Sequence, residues 1–331
     1  MSTLRSYDAI VVGGGAHGLI AAAYLAKANR KVLLLEAENE FGGLCRVQSF
    51  ALGAVQSFYA LDPLVLWQLR LARHGLRFAV RDMPLAALRN DGRHISISRD
   101  VHDTAASIAI HSQRDAEAWP RFRSELFELA RAMRPRWWEE QGHMPAGSAR
   151  VKIDRIARMG ASAWLDSWFV SDELKAALCF DGTAGGISVL EPGSALALVW
   201  RAAQEMSGLQ GAVAFPFGGP EALAKSLVAA AREAGCELRT ASRVARIVTD
   251  ADHAAGVELE SGERCMAPAV VCAVPRRHVL LEWPPRDTLP MAQAAILMRR
   301  SASLSEARIT ITLRNAPRFG GIAVKPVSRF V

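Results

Sequence analysis

Three glycines and one acid carry the most specific chemical signal in this chain. Gly13, Gly15 and Gly18 are spaced G-x-G-x-x-G, and Glu36 follows 21 residues after Gly15. Gly13 permits a tight turn, Gly15 lets the backbone come close to a pyrophosphate, and Gly18 lets a helix sit close to a strand. With Ala16 and His17 they open a helix N-terminus, whose free N–H groups and partial positive charge favour phosphate. A carboxylate at Glu36, with Ala37 beside it, can accept both hydroxyls of an adenosine ribose and would repel a 2′-phosphate. The set predicts a bound dinucleotide, FAD or NAD before NADP. His17 is expected to lie near that cofactor, not to act as an acid or base. A second glycine pair, Gly42-Gly43, lets the chain fold back towards the phosphates.

The elements that must position these residues are legible around them. Tyr7 to Val12 is an apolar run, Leu19 to Ala28 reads as a helix, and Val32 to Leu35 is a second apolar run ending at Glu36. Strand, glycine turn, helix, strand and acid make one βαβ unit. Asn29 suits the left-handed position that ends a helix. A lone glycine motif is weak, since a glycine-rich turn can be only a turn; here every flanking element is in place.

From Val11 to Gly43 the sequence resembles the N-terminus of the FAD-dependent phytoene desaturase-like oxidoreductases, within the wider amine oxidase-like flavoproteins. The resemblance implies that Gly13, Gly15, Gly18 and Glu36 hold the ADP half of FAD. It implies that Gly42 and Gly43 place the diphosphate and flavin side, with Leu44 beside them. Many relatives carry a basic residue and a threonine after the glycine pair; here Arg46 can serve, and the threonine is absent. A second stretch, residues 215–274, resembles the family segment that returns to the cofactor domain, and implies that Val244 lies where backbone groups meet the adenine. The resemblance implies an α/β fold, a Rossmann-type FAD-binding domain with a parallel sheet, and an interleaved substrate domain of mixed sheet and helices. Residues 1–66 and 213–275 are assigned to the cofactor domain, and 67–212 with 276–331 to the substrate domain. It implies an oxidoreductase that removes hydride from an apolar small molecule.

The family's C-terminal glycine-rich segment, which contacts the flavin, has no counterpart here, so the substrate domain is expected to be incomplete and the chain truncated. An unfinished sheet exposes an edge and apolar surface, so a homodimer or a complementing chain is an expected partner. Two other readings remain at this stage. One is a catalytically inactive or fragmentary nucleotide-binding protein; the other is an NAD-dependent dehydrogenase, against which Gly42-Gly43 and the segment at 215–274 argue.

Whole-chain properties narrow the field. The 331 residues, half of them hydrophobic, are enough for a large core and two domains. Net charge is +7, but it comes from arginines scattered among acids, without a dense basic tract or a nucleic-acid module, so no nucleic-acid partner is expected. The five cysteines form no C-x-x-C pair, which predicts neither a disulfide framework nor a zinc site. No apolar run reaches the roughly 18 residues of a membrane span, and the first strand starts too early for a targeting peptide. A cytoplasmic location is expected.

Further along, Tyr59 and Asp62 fall near the flavin in the family. The plainer reading is a core aromatic and a turn cap before Pro63. Residues 75–80 and 94–99 read as strands joined through the Asn90-Asp91-Gly92 turn, and Thr104 as the cap of a short helix. In 113–138, Trp119, Phe122, Leu126, Leu129 and Met133 recur at helical spacing. Pro120 is placed to start or kink this helix. Trp137 and Trp138 beside arginines allow peripheral membrane contact; the plainer reading places them in a core. Ser171 marks a helix start, and a helix is expected over about 193–207.

Overall fold

The fold follows from where apolar runs alternate with helices. The computed structural model describes residues 6–46, 61–138, 142–183, 187–206, 208–250 and 253–283, with a few positions beyond (Ala295, Met298, Arg314, Asn315, Phe319, Arg329 and Phe330). Two units are defined by contact. Unit 1 comprises Met1–Ser57, Pro63–Ala79 and Pro216–Ser301, and unit 2 comprises Phe58–Asp62, Val80–Phe215 and Ala302–Val331. Tyr59 lies outside the described residues.

In unit 1 the chain runs through strand β1 (Ala9–Val12), helix α1 (Ala16–Lys27), strand β2 (Val32–Leu35), a 3₁₀ turn (Gly43–Cys45) and helix α2 (Pro63–Gln68). It passes into unit 2 with strands β3 (Leu85–Ala87) and β4 (Ile95–Ile97). Helices α3 (Val101–Ala109), α4 (Gln113–Trp138), α5 (Gly147–Ile156), α6 (Ala161–Asp166), α7 (Asp172–Thr183) and α8 (Ala195–Ala203) follow. A small ribbon, β5 (Glu205–Met206) with β6 (Leu209–Gln210), closes that stretch. The chain then returns to unit 1 with helix α9 (Glu221–Glu233) and strands β7 (Glu237–Arg239), β8 (Val244–Asp250), β9 (His253–Leu259), β10 (Arg264–Met266) and β11 (Val270–Cys272). Beyond these, β12 (Arg329–Phe330) belongs to unit 2.

Unit 1 is built on a parallel sheet in the order β11-β1-β2-β7. Every residue of β1 and β2 is buried, as expected of a parallel sheet covered on both faces. Ile10, Val11, Leu33 and Leu34 have no exposed surface; burying each side chain stabilises the unit by about 1.5–3 kcal/mol. Helices α1 and α9 pack together, and α9 buries Leu223, Leu227, Ala230 and Ala231. Asn29 has φ +59°, and its N–H donates to the Ala26 carbonyl at 2.9 Å, as the sequence predicts for the end of α1. The helix begins earlier than predicted, at Ala16, because the glycine turn feeds directly into it.

Strands β8, β9 and β10 form a separate antiparallel meander. The run 264–274 therefore does not make one strand. Pro268 has no N–H to give to a ladder, and on either side of it β10 closes the meander while β11 pairs with β1. Tyr7, Val244, Val257 and Leu259 belong to the core between meander and sheet. A polar network borders that core: Arg239 reaches Glu263 at 2.8 Å, Glu237 at 3.0 Å and the Tyr7 hydroxyl at 3.2 Å, and Tyr7 donates to Glu237 at 2.8 Å.

Unit 2 pairs a β3-β4 hairpin, joined in parallel to β12, with a helical layer. The hairpin's first strand is Leu85–Ala87; the strand predicted at 75–80 does form, as Phe78–Val80, but outside this hairpin. Leu85-Ala86-Ala87 has neither β-branched residues nor alternation, so it gives no strand signal. The cap of α3 is Asp100, whose carboxylate accepts the N–H groups of His102 at 2.8 Å and Asp103 at 2.9 Å. Thr104 instead lies inside the helix, its hydroxyl donating to the Asp100 carbonyl at 2.8 Å. Pro120 lies well inside α4, not at its start. The helix expected over 193–207 stops at Ala203, where Gln204 turns extended. Trp119, Phe122, Trp164 and Phe169 meet in an aromatic cluster, with Phe122 and Phe169 edge to face at 5.0 Å, and Trp137 packs against the same core.

Candidate cofactor site

The site is assembled at the junction of β1, α1 and β2. At the end of β1, Gly13 adopts φ +103°, and its N–H donates to the Leu35 carbonyl at 2.8 Å. A Cβ there would stand 2.8 Å from Val274 Cγ1 and 2.9 Å from the Ala273 carbonyl oxygen. At Gly18 a Cβ would stand 1.8 Å from the Gly13 carbonyl oxygen. These two glycines are required by the fold itself. Gly15 differs: a Cβ there would meet only Gly43 Cα, at 4.0 Å, so it would project into the open cradle at the head of α1.

Glu36 is held from several directions. It is 9% exposed. Its Oε2 accepts the Gly14 N–H at 2.6 Å and its Oε1 accepts the Glu38 N–H at 2.9 Å. Its own N–H donates to the Arg239 carbonyl, and its carbonyl accepts the Ser242 N–H, both at 2.8 Å. Each carboxylate oxygen retains a further lone pair, enough to accept a ribose hydroxyl.

The second glycine pair closes the turn from the other side. Gly42 donates its N–H to the Gly14 carbonyl at 2.8 Å. The peptide between Gly14 and Gly15 is planar and trans, so its C=O and N–H point in opposite directions. Fixing the Gly14 carbonyl on Gly42 thus turns the Gly15 N–H to the opposite side. Gly42 (φ +126°) and Gly43 (φ +51°) both need the left-handed region, and a Cβ on Gly43 would come within 3.1 Å of Gly15 Cα.

The structure brings most of the predicted residues together. Gly13, Gly15, Ala16, His17 and Gly18 form the turn and the first turn of α1, with His17 exposed. Glu36, Ala37, Gly43, Leu44 and Arg46 follow at the end of β2 and in the glycine-pair loop. Leu44 is exposed, and Arg46 donates to the Glu40 carbonyl at 3.3 Å. Val244 opens β8 with its side chain buried in the core. Three contributors escape sequence reasoning: the Gly14 peptide, Arg239 and Ser242. They act through backbone groups, which side-chain type does not reveal.

The cradle fits a dinucleotide. Gly15 caps α1 without a side-chain hydrogen bond, and the first turn holds no acid, so its N–H groups and dipole face no competing carboxylate there. No activated thiol is present: burial pushes the thiols of Cys45, Cys179, Cys265 and Cys272 up, and that of Cys236 up to about 12. Among the described residues no group of three His, Cys, Asp or Glu is placed to hold a metal, and no helix is long and apolar enough to cross a membrane.

Unit 2 holds a cavity of about 660 Å³, walled by Met83, Trp119, Phe122, Leu126, Leu178 and Leu198 among others.

A parallel sheet carrying a glycine turn and an acid at the end of its second strand, with a mixed-sheet and helical second unit, is the architecture of amine-oxidase-type flavoproteins. Residues 18–317 match the family model described as flavin containing amine oxidoreductase, and the chain belongs to that family. It is 26% identical over 353 aligned positions to a rat protein named pyridine nucleotide-disulfide oxidoreductase domain-containing protein 2, covering 95% of this chain and 61% of that one. It is 29% identical to a phytoene dehydrogenase of Streptomyces griseus, covering 85% of this chain and 57% of the relative. An oxidoreductase of Methanosarcina mazei of known structure shares the fold, with a TM-score of 0.58 at 19% identity over 88% of this chain and 64% of that one. The chain thus spans about three-fifths of the length of these curated relatives.

Proposed function

We propose that this chain binds FAD in the unit 1 cradle and serves an oxidoreductase that removes hydride from an apolar substrate, in the phytoene desaturase-like branch of its family. One observation carries the reading: Glu36 holds the N–H of Gly14 and Gly42 holds its C=O, fixing the glycine turn at an uncapped helix N-terminus. In this reading Gly13, Gly15, Ala16, His17 and Gly18 surround the diphosphate. Glu36 and Ala37 hold the adenosine ribose, Val244 borders the adenine, and Gly43, Leu44 and Arg46 face the diphosphate and flavin side. Unit 1 is then the cofactor domain and unit 2 the substrate domain. The likeness to the phytoene dehydrogenase supports the branch, and the apolar walls of the unit 2 cavity support the substrate class.

When bound, FAD supplies an acceptor for two electrons and passes them to a second oxidant. The chain's part is to bind and orient. The α1 dipole and N–H groups compensate diphosphate charge, and the Glu36 carboxylate selects a free 2′-hydroxyl over a 2′-phosphate. Apolar walls align a substrate C–H and keep water away.

The test is equilibrium titration of the purified chain with FAD, ADP, NAD⁺ and NADP⁺. Saturable FAD binding, with ADP competing and NADP⁺ excluded, is expected. Preference for NAD⁺ over FAD would instead make this an NAD-linked protein, and ADP binding without FAD uptake would mark a nucleotide-binding chain that has no flavin site of its own.

A further inference from the structure

We propose that the unit 2 cavity recognises a carboxylate at one end of an apolar molecule, and that Arg123 is the residue that reads it. The proposal deepens the apolar-substrate reading, and rests on it for taking this cavity as the substrate's.

One face of α4 lines the cavity: Trp119, Phe122, Arg123, Leu126 and Phe127. These positions fall at i, i+3, i+4, i+7 and i+8, a single helical stripe. Four are apolar or aromatic. Arg123 puts a permanent cation in the middle of that stripe. It is half-buried, and its guanidinium lies 4.7 Å from the centre of the Phe127 ring. One Nη donates to the Arg99 carbonyl at 3.0 Å.

Arg123 has no directly paired anion: the Asp82 and Asp100 carboxylates act on it only through space. Among the described residues it forms no ion pair. The carboxylates that line the cavity are engaged elsewhere or face water. Asp82 is taken by Arg99 at 2.7 Å and Asp181 by Arg201 at 3.4 Å. Asp100 is occupied with two backbone N–H groups of α3, and Asp103 lies exposed in the first turn of that helix, where the dipole favours it. Burial first, and then the neighbouring Arg99 cation, pull the Arg123 pKa down against the opposing pull of Asp82 and Asp100. A partly desolvated cation whose neighbouring carboxylates are engaged with other groups gains from a ligand that pairs with it directly. A guanidinium matches a carboxylate with two parallel hydrogen bonds. The apolar remainder of the stripe matches a hydrocarbon chain. A cationic head next to Arg123 would meet repulsion from Arg123 and Arg99, in a cavity whose lining also carries Asp82, Asp100, Asp103 and Asp181.

The experiment is calorimetric titration of the full chain with decanoate, decanol and decylamine, which share a tail and differ in head group. Wild type is expected to bind decanoate about tenfold to a hundredfold more tightly than decanol, the range of a charge-assisted hydrogen bond, and decylamine no better than decanol. Arg123→Leu is expected to abolish the decanoate preference while keeping decanol affinity, and Arg123→Lys to restore part of it. Wild type binding the three probes equally, favouring decylamine or binding none of them would overturn the proposal, as would an Arg123→Leu variant that keeps the preference. If Arg123→Leu does not fold, the wild-type ranking and Arg123→Lys decide the matter. The titrations need no flavin. Failed FAD uptake with an intact decanoate preference counts against the flavin reading alone, and FAD uptake without that preference counts against this one alone.

Discussion

At the residue scale, the three motif glycines are not equivalent, and substitution separates their roles. Gly18→Ala drives a methyl into the Gly13 carbonyl and Gly13→Ala forces a positive φ, so both are expected to lower the melting temperature and soluble yield. Gly15→Ala meets no neighbour closer than 4.0 Å, so its melting temperature should stay near wild type while its FAD affinity falls at least tenfold by roughly the reach of one blocked phosphate contact. Thermal melts paired with FAD titrations check this. Glu36→Ala strips the buried Gly14 N–H of its acceptor and should cost about 1–3 kcal/mol in denaturant unfolding, besides weakening FAD binding. Asp91 offers a pH test. The Arg93 backbone N–H, with help from Arg89, holds its carboxyl down to about 2. Its pKa is depressed in the fold, so its contribution is full above about pH 4 and is lost as the pH falls through about 2. Asp91→Ala should therefore flatten the acid limb of a stability–pH profile and leave its shape near neutrality unchanged. Gly13, Gly15, Gly18 and Glu36 are legible in sequence because turn geometry and ribose chemistry demand their types. The Gly14 clamp is not, because Gly42 meets it through backbone atoms alone. Arg123 carried a weak signal, a charge in the apolar stripe of α4.

At the element scale, the helical layer of unit 2 is tied together by one buried acid. Asp115, in the first turn of α4 and fully buried, accepts the Val170 N–H at 2.9 Å and the Ser171 N–H at 2.8 Å, just before α7. Asp115→Ala should cost about 1–3 kcal/mol for each N–H left without a partner, seen as a lower denaturation midpoint, with Asp115→Asn intermediate. The Ser171 start of α7 is readable because a side-chain cap has a residue signature; the Leu174 N–H meets its hydroxyl at 3.3 Å. The long helix α4 is readable from its stripe. The β3-β4 hairpin is not, since its first strand is a three-residue apolar piece whose pairing is set by its partner. The separate sheet of the meander is not legible, because strand pattern fixes the element and not which sheet it joins.

At the scale of the whole molecule, the parallel sheet of unit 1 and the helical layer of unit 2 follow from the βαβ start and the return at α9 and β7. Family membership follows from residues 18–317. If unit 1 binds FAD and the unfolded chain does not, binding must raise stability by mass action, by about 2.7 kcal/mol at a free concentration one hundred times Kd. Melting temperature should climb with FAD, less with ADP and not with NADP⁺. The most direct measurement is the visible spectrum of the purified chain after incubation with FAD and removal of free ligand, with the bound nucleotide released and identified. The cradle at Gly13–Gly18 and Glu36 predicts a yellow protein that carries FAD, and a Gly15→Ala chain that folds but stays pale. A folded wild-type chain that remains colourless at saturating FAD would contradict the central claim.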